Sequence, residues 1–241
     1  MRFGRFYLPV PIVVLMALTI VASIGGALCE HGGIPVVQKG MLLPSLVWEG
    51  EIWRLVTWTF FETSNPFSFL FALLMLYWFG RDLCDAWGNR KFLAVYFGFS
   101  VVIGALTCLI GKFVWHPVWF IPQTGGWPIS EALVIAWATL FPDREIRLYF
   151  VLNVRGRTLI LVTIGLTVLF AIYYGVAAFV PHFLAELLML FYIGQARRWY
   201  LKWKMVRLQN QAKRYVDNVR RIDGRDDDEG PPGKPPTKWV N

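Results

Sequence analysis

The sequence predicts an all-α, polytopic membrane helix bundle with six transmembrane helices, and three observations carry that prediction. The first is composition: 56% of the 241 residues are hydrophobic and only 17% are charged, where a soluble domain has about a quarter charged. The second is the recurrence of apolar runs close to the roughly 20 residues that a spanning helix requires. The third is the placement of Lys and Arg, which crowd into alternate connections between those runs, as the positive-inside rule demands of a multi-pass protein. A mean hydropathy of +0.48 agrees.

The first run, residues 7–28, follows a short basic start. Its small residues near Gly25, Gly26 and Ala27 also suit a cleaved signal peptide. A retained first helix is expected, because removal would leave an odd number of spans and strand the basic tail on the wrong side. Residues 29–65 read as a long loop, too broken by Pro and Gly to cross a bilayer, with Trp53 and Trp58 suited to the headgroup interface. Further apolar helices are expected at 66–79, 92–109, 128–141, 159–174 and 180–193, the fourth span being short for a full crossing. Short is tolerable where a helix starts below the surface inside a ring of others.

Orientation follows from the cations. Lys39, Arg54 and Lys112 fall on one side; Arg2, Arg5, Arg81, Arg90, Lys91, Arg144, Arg147, Arg155, Arg157 and the tail fall on the other. Both termini are therefore expected in the cytoplasm. The net charge of +8 is placed for lipid headgroups rather than for nucleic acid. Cys29, Cys84 and Cys108 are widely spaced and suggest neither a disulfide framework nor a metal site. No nucleotide-binding glycine pattern or Asp-rich metal loop occurs, so no cofactor is expected. Residues 1–196 are read as the membrane domain, 197–222 as a basic amphipathic cytoplasmic helix that meets anionic lipid, and 223–241 as a disordered tail.

The chemistry concentrates at the fourth helix. Gly125-Gly126-Trp127-Pro128-Ile129-Ser130-Glu131 opens it with a glycine pair, a proline and then a carboxylate. An ionisable residue inside a membrane helix is costly and faces protein or water, so Glu131 marks the bundle interior.

Several motifs together carry a resemblance. Gly50-x-x-Trp53-Arg54-Leu55-x-Thr57 lies in the first loop, Phe79-Gly80-Arg81-x-Leu83 closes the second helix with Gly88 beyond it, and Leu140-Phe141-Pro142 closes the fourth. Over residues 1–196 the chain resembles the rhomboid family of intramembrane serine proteases. That resemblance implies a six-helix rhomboid-like fold. It also implies a serine in Gly-x-Ser-Gly opening the fourth helix and a histidine on the sixth that activates it. A serine hydroxyl needs such a base within hydrogen-bond reach, and its oxyanion needs preorganised donors.

His182 stands where the family's base belongs. Counting back from Phe141-Pro142 without gaps, the motif falls on Gly125, Gly126, Trp127 and Pro128, with tryptophan at the nucleophile. Placing the serine on Ser130 deletes three residues and leaves about 16 Å of helix up to Phe141 instead of about 21 Å. The His-x-x-x-Asn pair of the family's second helix falls on Ser68 and Ala72, and alanine offers no oxyanion donor. After His182, Ala185 keeps a small residue and Met189 does not.

Two functions from different classes follow from the resemblance. One is a divergent pseudoprotease that binds transmembrane segments of client proteins, with Trp127, Glu131 and Glu186 facing the substrate. The other is an active intramembrane serine protease with Ser130 as nucleophile and His182 as base. The residues themselves add a further expectation. Glu131 lies four past Trp127 and Glu186 four past His182, and i,i+4 positions share a helix face. If the fourth and sixth helices face each other, Glu131, His182 and Glu186 form one buried polar cluster, either a proton or cation site or interhelical glue. His31 and His116 read as surface or interfacial residues, Trp127 and Trp137 as packing or interface anchors rather than a binding feature, and Arg54 as a structural hydrogen-bonding residue of the first loop, with a substrate contact as the alternative.

Overall fold

The computed structural model describes residues 8–62, 66–148 and 152–222, so the expected disordered tail at 223–241 lies outside the described residues. The chain divides into two compact units, Met1–Ile193 and Gly194–Asn241. The first is an all-α membrane bundle.

Helix α1 spans Val10–His31, with Pro11 in its first turn, where a missing N–H costs nothing. The loop that follows is more ordered than its Pro and Gly content suggests. It carries three short helices, α2 (Val36–Gly40), α3 (Pro44–Trp48) and α4 (Arg54–Thr57), and a 3₁₀ turn at Trp58–Phe60. Arg54 organises it. Only 3% exposed, its guanidinium donates to the carbonyls of Gln38 and Met41, both at 2.7 Å, and to Glu51 Oε2 at 2.6 Å. A planar cation with five donors satisfies carbonyls that would otherwise be buried unpaired. Thr57 Oγ1 adds a bond to Gly40 O at 2.7 Å.

Helix α5 (Pro66–Trp87) and helix α6 (Asn89–Phe113) are each longer than the apolar run within them. Gly88 separates them at φ +81°, a left-handed conformation open to glycine at little cost. Helix α7 (Trp127–Leu140) has 14 residues, about 21 Å of rise against a hydrocarbon core of about 30 Å. It survives because it is buried nearly all round, with every residue from Glu131 to Ala138 in the interior. α5 and α8 both pack against it.

The basic connection after α7 holds a two-stranded antiparallel hairpin, β1 (Glu145–Leu148) with β2 (Leu152–Arg155), in the register Glu145 opposite Arg155. Nothing in the periodicity of so short a charged stretch announces it. Helix α8 (Gly156–Tyr174) buries only 22% of its apolar window and turns the rest outward. Helix α9 begins at Val180 and runs to Ile222. Among the described residues, five helices are long and apolar enough to cross a membrane, and α7 is the shorter sixth. In the second unit, residues 205–212 are exposed helix.

Candidate functional site

The first loop builds the start of α7. Leu42 and Gln123 exchange backbone bonds at 2.9 and 2.8 Å, and Gly125 N donates to Trp58 O at 2.9 Å. Gly125 then turns the chain at φ +98°. A Cβ there would stand 2.9 Å from both carboxylate oxygens of Glu62, so glycine is what lets that carboxyl approach. Glu62 Oε1 accepts the Gly126 N–H at 2.6 Å. A carboxylate at a helix N-terminus meets both an orphan amide and the positive end of the dipole. The same end of the loop is held by Ser23 on α1, whose hydroxyl donates to Phe60 O at 3.0 Å and accepts the Glu62 N–H at 2.9 Å. Burial pushes the Glu62 carboxyl up to about 7, against the opposing pull of the Gly126 amide and of His182.

One turn further in lies a second polar network. Glu131, 9% exposed, accepts the Trp127 indole N–H on Oε1 at 2.9 Å, and its Oε2 lies 2.7 Å from His182 Nδ1. Thr167 of α8 sits 3.3 Å from Glu131 Oε1 and 2.7 Å from Glu186 Oε1. The structure thus joins Glu131, His182 and Glu186 in one buried network across α7, α8 and α9. The i,i+4 spacing did place both carboxyls on the facing surfaces. Phe179 stacks on the imidazole at 4.6 Å, and Phe71 of α5 stacks on Trp127 at 5.0 Å.

Ser130 lies about 100° around the helix axis from Glu131, and among the described residues its hydroxyl is not bonded into this network. Ser130 lines a small void of about 10 Å³ with Thr19, Thr59, Glu62, Ala72 and Tyr96. It also lines the larger cleft described below. Among the described residues no hydrogen bond joins Ser130 to His182. Glu131 holds Nδ1, and among the described residues no hydroxyl is bonded to Nε2. Ala72, which the resemblance set at an oxyanion-donor position, is buried and adds nothing polar.

Two members of the site escaped sequence reasoning. Thr167 looks like any membrane threonine bonding its own helix, and it does lie 3.2 Å from Thr163 O. Glu62 gave a faint signal as the acid next to the second span, but its target, the Gly126 amide, is 64 residues away. His31 and His116 are exposed, and Trp137 is buried, 3% exposed, with its indole donating to Asp82 Oδ2 at 2.7 Å. Among the described residues, no three His, Cys, Asp or Glu side chains converge as a metal-ligand set.

Beside the network, an apolar cleft of about 340 Å³ opens between α5 and α8 with α7 as its floor. Met75 and Phe71 come from α5, Leu166 and Phe170 from α8, and Trp127 and Ser130 from the floor. α5 and α8 both pack on α7, which holds the walls apart.

Residues 10–195 match the model of a family described as eukaryotic integral membrane protein (DUF1751). The match takes in the helix bundle and all of the site residues above. No curated protein matches the chain.

Proposed function

From the premise that this chain belongs to the eukaryotic integral membrane protein family DUF1751, we propose that it is a rhomboid-like pseudoprotease that binds single transmembrane segments of client proteins in the α5–α8 cleft. The observation that carries the reading is the cleft itself. Its walls are apolar and its floor ends in Trp127, Ser130 and Glu131. In lipid, apolar surface gains nothing by being covered, so helix association depends on close packing and on polar contacts. The cleft supplies both, a shaped apolar slot and a polar end.

The pseudoprotease part rests on where the polar groups go. Glu131 takes the imidazole Nδ1 and the Trp127 indole, and Trp127 stands at the position the gapless register assigns to a nucleophile. Trp127, Glu131 and Glu186 are then client-facing or client-supporting residues. In this reading both termini are cytoplasmic, residues 1–196 are the client-binding domain, and 197–222 lie on the cytoplasmic leaflet as a basic helix.

The test is photo-crosslinking in vesicles that hold the full chain and a synthetic single-span apolar segment. A crosslinker at Met75, inside the cleft, is compared with one at Ile172, which is 73% exposed on α8. Preferential capture from position 75 is expected, and equal yields would overturn the reading. Cleavage of the segment that disappears in Ser130→Ala would instead favour the rival, an active intramembrane serine endopeptidase with Ser130 and His182.

A further inference from the structure

At the end of the bundle where α7 stops, a second and more polar chamber of about 600 Å³ lies between the end of α5 and the start of the hairpin. Its wall includes Tyr77, Trp78, Phe79, Arg81, Asp82 and Arg144. Trp78 and Phe79 also line the apolar α5–α8 cleft, so the two cavities share a wall.

The lining itself holds two cations, Arg81 and Arg144, and two acids, Asp82 and Glu145, but Arg155 reaches Glu145 from outside it, so the cations exceed the acids by one. Asp82 Oδ2 accepts from Arg144 Nη1 at 2.6 Å and from the Trp137 indole at 2.7 Å, and Glu145 pairs with Arg155 at 3.4 Å. Each acid of the lining therefore has its own cation. Arg81 is left over, partly buried and without an ion-pair partner among the described residues. It follows directly on an almost wholly apolar stretch of α5, residues 67–80, which puts its guanidinium at the level where hydrocarbon gives way to headgroups. Tyr77 and Trp78 beside it are the residue types that gather at that level.

We infer that the two cavities together form a binding site for one anionic phospholipid, its phosphate on Arg81 in the polar chamber and an acyl chain in the α5–α8 cleft. A guanidinium suits a phosphate because its planar donors match two phosphate oxygens at once. The apolar cleft takes the chain, and Trp78 and Phe79 form the wall at which the molecule changes character. The lipid shares the cleft with the proposed client but does not depend on it, since the headgroup chamber lies outside the client's path. A bound lipid of this kind fills the slot while no client is present.

The experiment uses the full chain in vesicles doped with a phosphatidylserine that carries a diazirine in one acyl chain, without any client. Labelled peptides containing Met75 or Leu166 are expected in excess over those of the outward face of α8 around Ile172. Arg81→Gln should lower that labelling about fivefold, the effect of removing one basic side chain's attraction for an anionic headgroup. Arg81 has no ion pair to lose among the described residues, and Arg90→Gln, an exposed cation outside the chamber, should leave the labelling unchanged.

Unlabelled phosphatidylserine should compete and a diacylglycerol of the same chains should not. Labelling spread evenly over the lipid-facing helices, or indifferent to Arg81→Gln, would overturn the inference. Equal competition by diacylglycerol would also overturn it, as would loss of labelling in millimolar inorganic phosphate, which would assign the chamber to a free oxyanion. Because no client is present, failure here leaves the client reading standing, and failure of client capture leaves the lipid site standing.

Discussion

Glu131 Oε2 lies 2.7 Å from His182 Nδ1, joining the fourth and sixth apolar helices through a carboxylate–imidazole contact inside the bundle. The same carboxylate is the acceptor for the Trp127 indole, so one side chain satisfies donors from two helices.

Removing that acceptor should therefore be costly. Glu131→Ala leaves the imidazole and the indole facing an apolar gap, and an uncompensated buried polar partner costs about 3 kcal/mol. Glu131→Gln keeps one carbonyl oxygen for His182 and should cost about 1 kcal/mol. Thermal unfolding in detergent micelles should rank wild type above Glu131→Gln, and Glu131→Gln above Glu131→Ala. Equal melting points for the two variants would show that the contact contributes nothing.

Ser130 should resist a fluorophosphonate. The reagent needs a hydroxyl whose proton is taken by a base, and among the described residues no hydrogen bond joins Ser130 to His182. Intact-mass measurement of the purified protein after exposure should show no adduct, and Ser130→Ala should behave as the wild type. An adduct lost in both Ser130→Ala and His182→Ala would contradict this.

The stability of the protein should depend on pH through Glu62. Its carboxyl is raised from 4.5 to about 7 in the folded chain, by burial above all. The folded state thus holds this proton more tightly than the unfolded state does. The associated stability is fully present below about 4.5 and is lost as pH rises through about 7, on the order of 1–3 kcal/mol in all. Melting temperature should fall between pH 5 and pH 8, and Glu62→Gln, which keeps an acceptor for the Gly126 amide, should flatten the slope. The Gly126 amide and the His182 imidazole oppose that rise, and an unchanged slope in Glu62→Gln would contradict the assignment to Glu62.

Gly125→Ala should destabilise the start of α7. The backbone there is at φ +98°, and the added Cβ would stand 2.9 Å from the Glu62 oxygens. A non-glycine residue in that region costs about 1–3 kcal/mol before the clash is counted. A lower melting temperature is expected, together with a weaker pH dependence, because the carboxyl must withdraw from the Gly126 amide. Loss of stability with the pH slope intact would mean that only backbone strain is at work.

Much of this architecture was legible in the chain. Apolar runs report their own helices, because a backbone in lipid must satisfy its hydrogen bonds internally and a helix does so with local contacts alone. Glu131 and Glu186 were readable as partners for a similar reason. Each is four residues from a marker on its own helix, and a single polar side chain in an apolar helix has few places to go. Arg54 was readable as a strut because its loop was rich in backbone carbonyls that would need a donor.

Only the tertiary structure decided the rest. Thr167 joins the two carboxyls because of where α8 packs, and its sequence neighbourhood, apolar apart from Thr163, gives no sign of it. Glu62 reaches the Gly126 amide across 64 residues, and no local pattern encodes a contact whose two ends are brought together by the packing of a loop. The short hairpin at Glu145–Leu148 and Leu152–Arg155 and the order of the first loop likewise depend on distant partners, such as the pairing of Leu42 with Gln123. Periodicity records which face of an element is buried. Which side chains meet there depends on how the helices cross, and that depends on the whole chain.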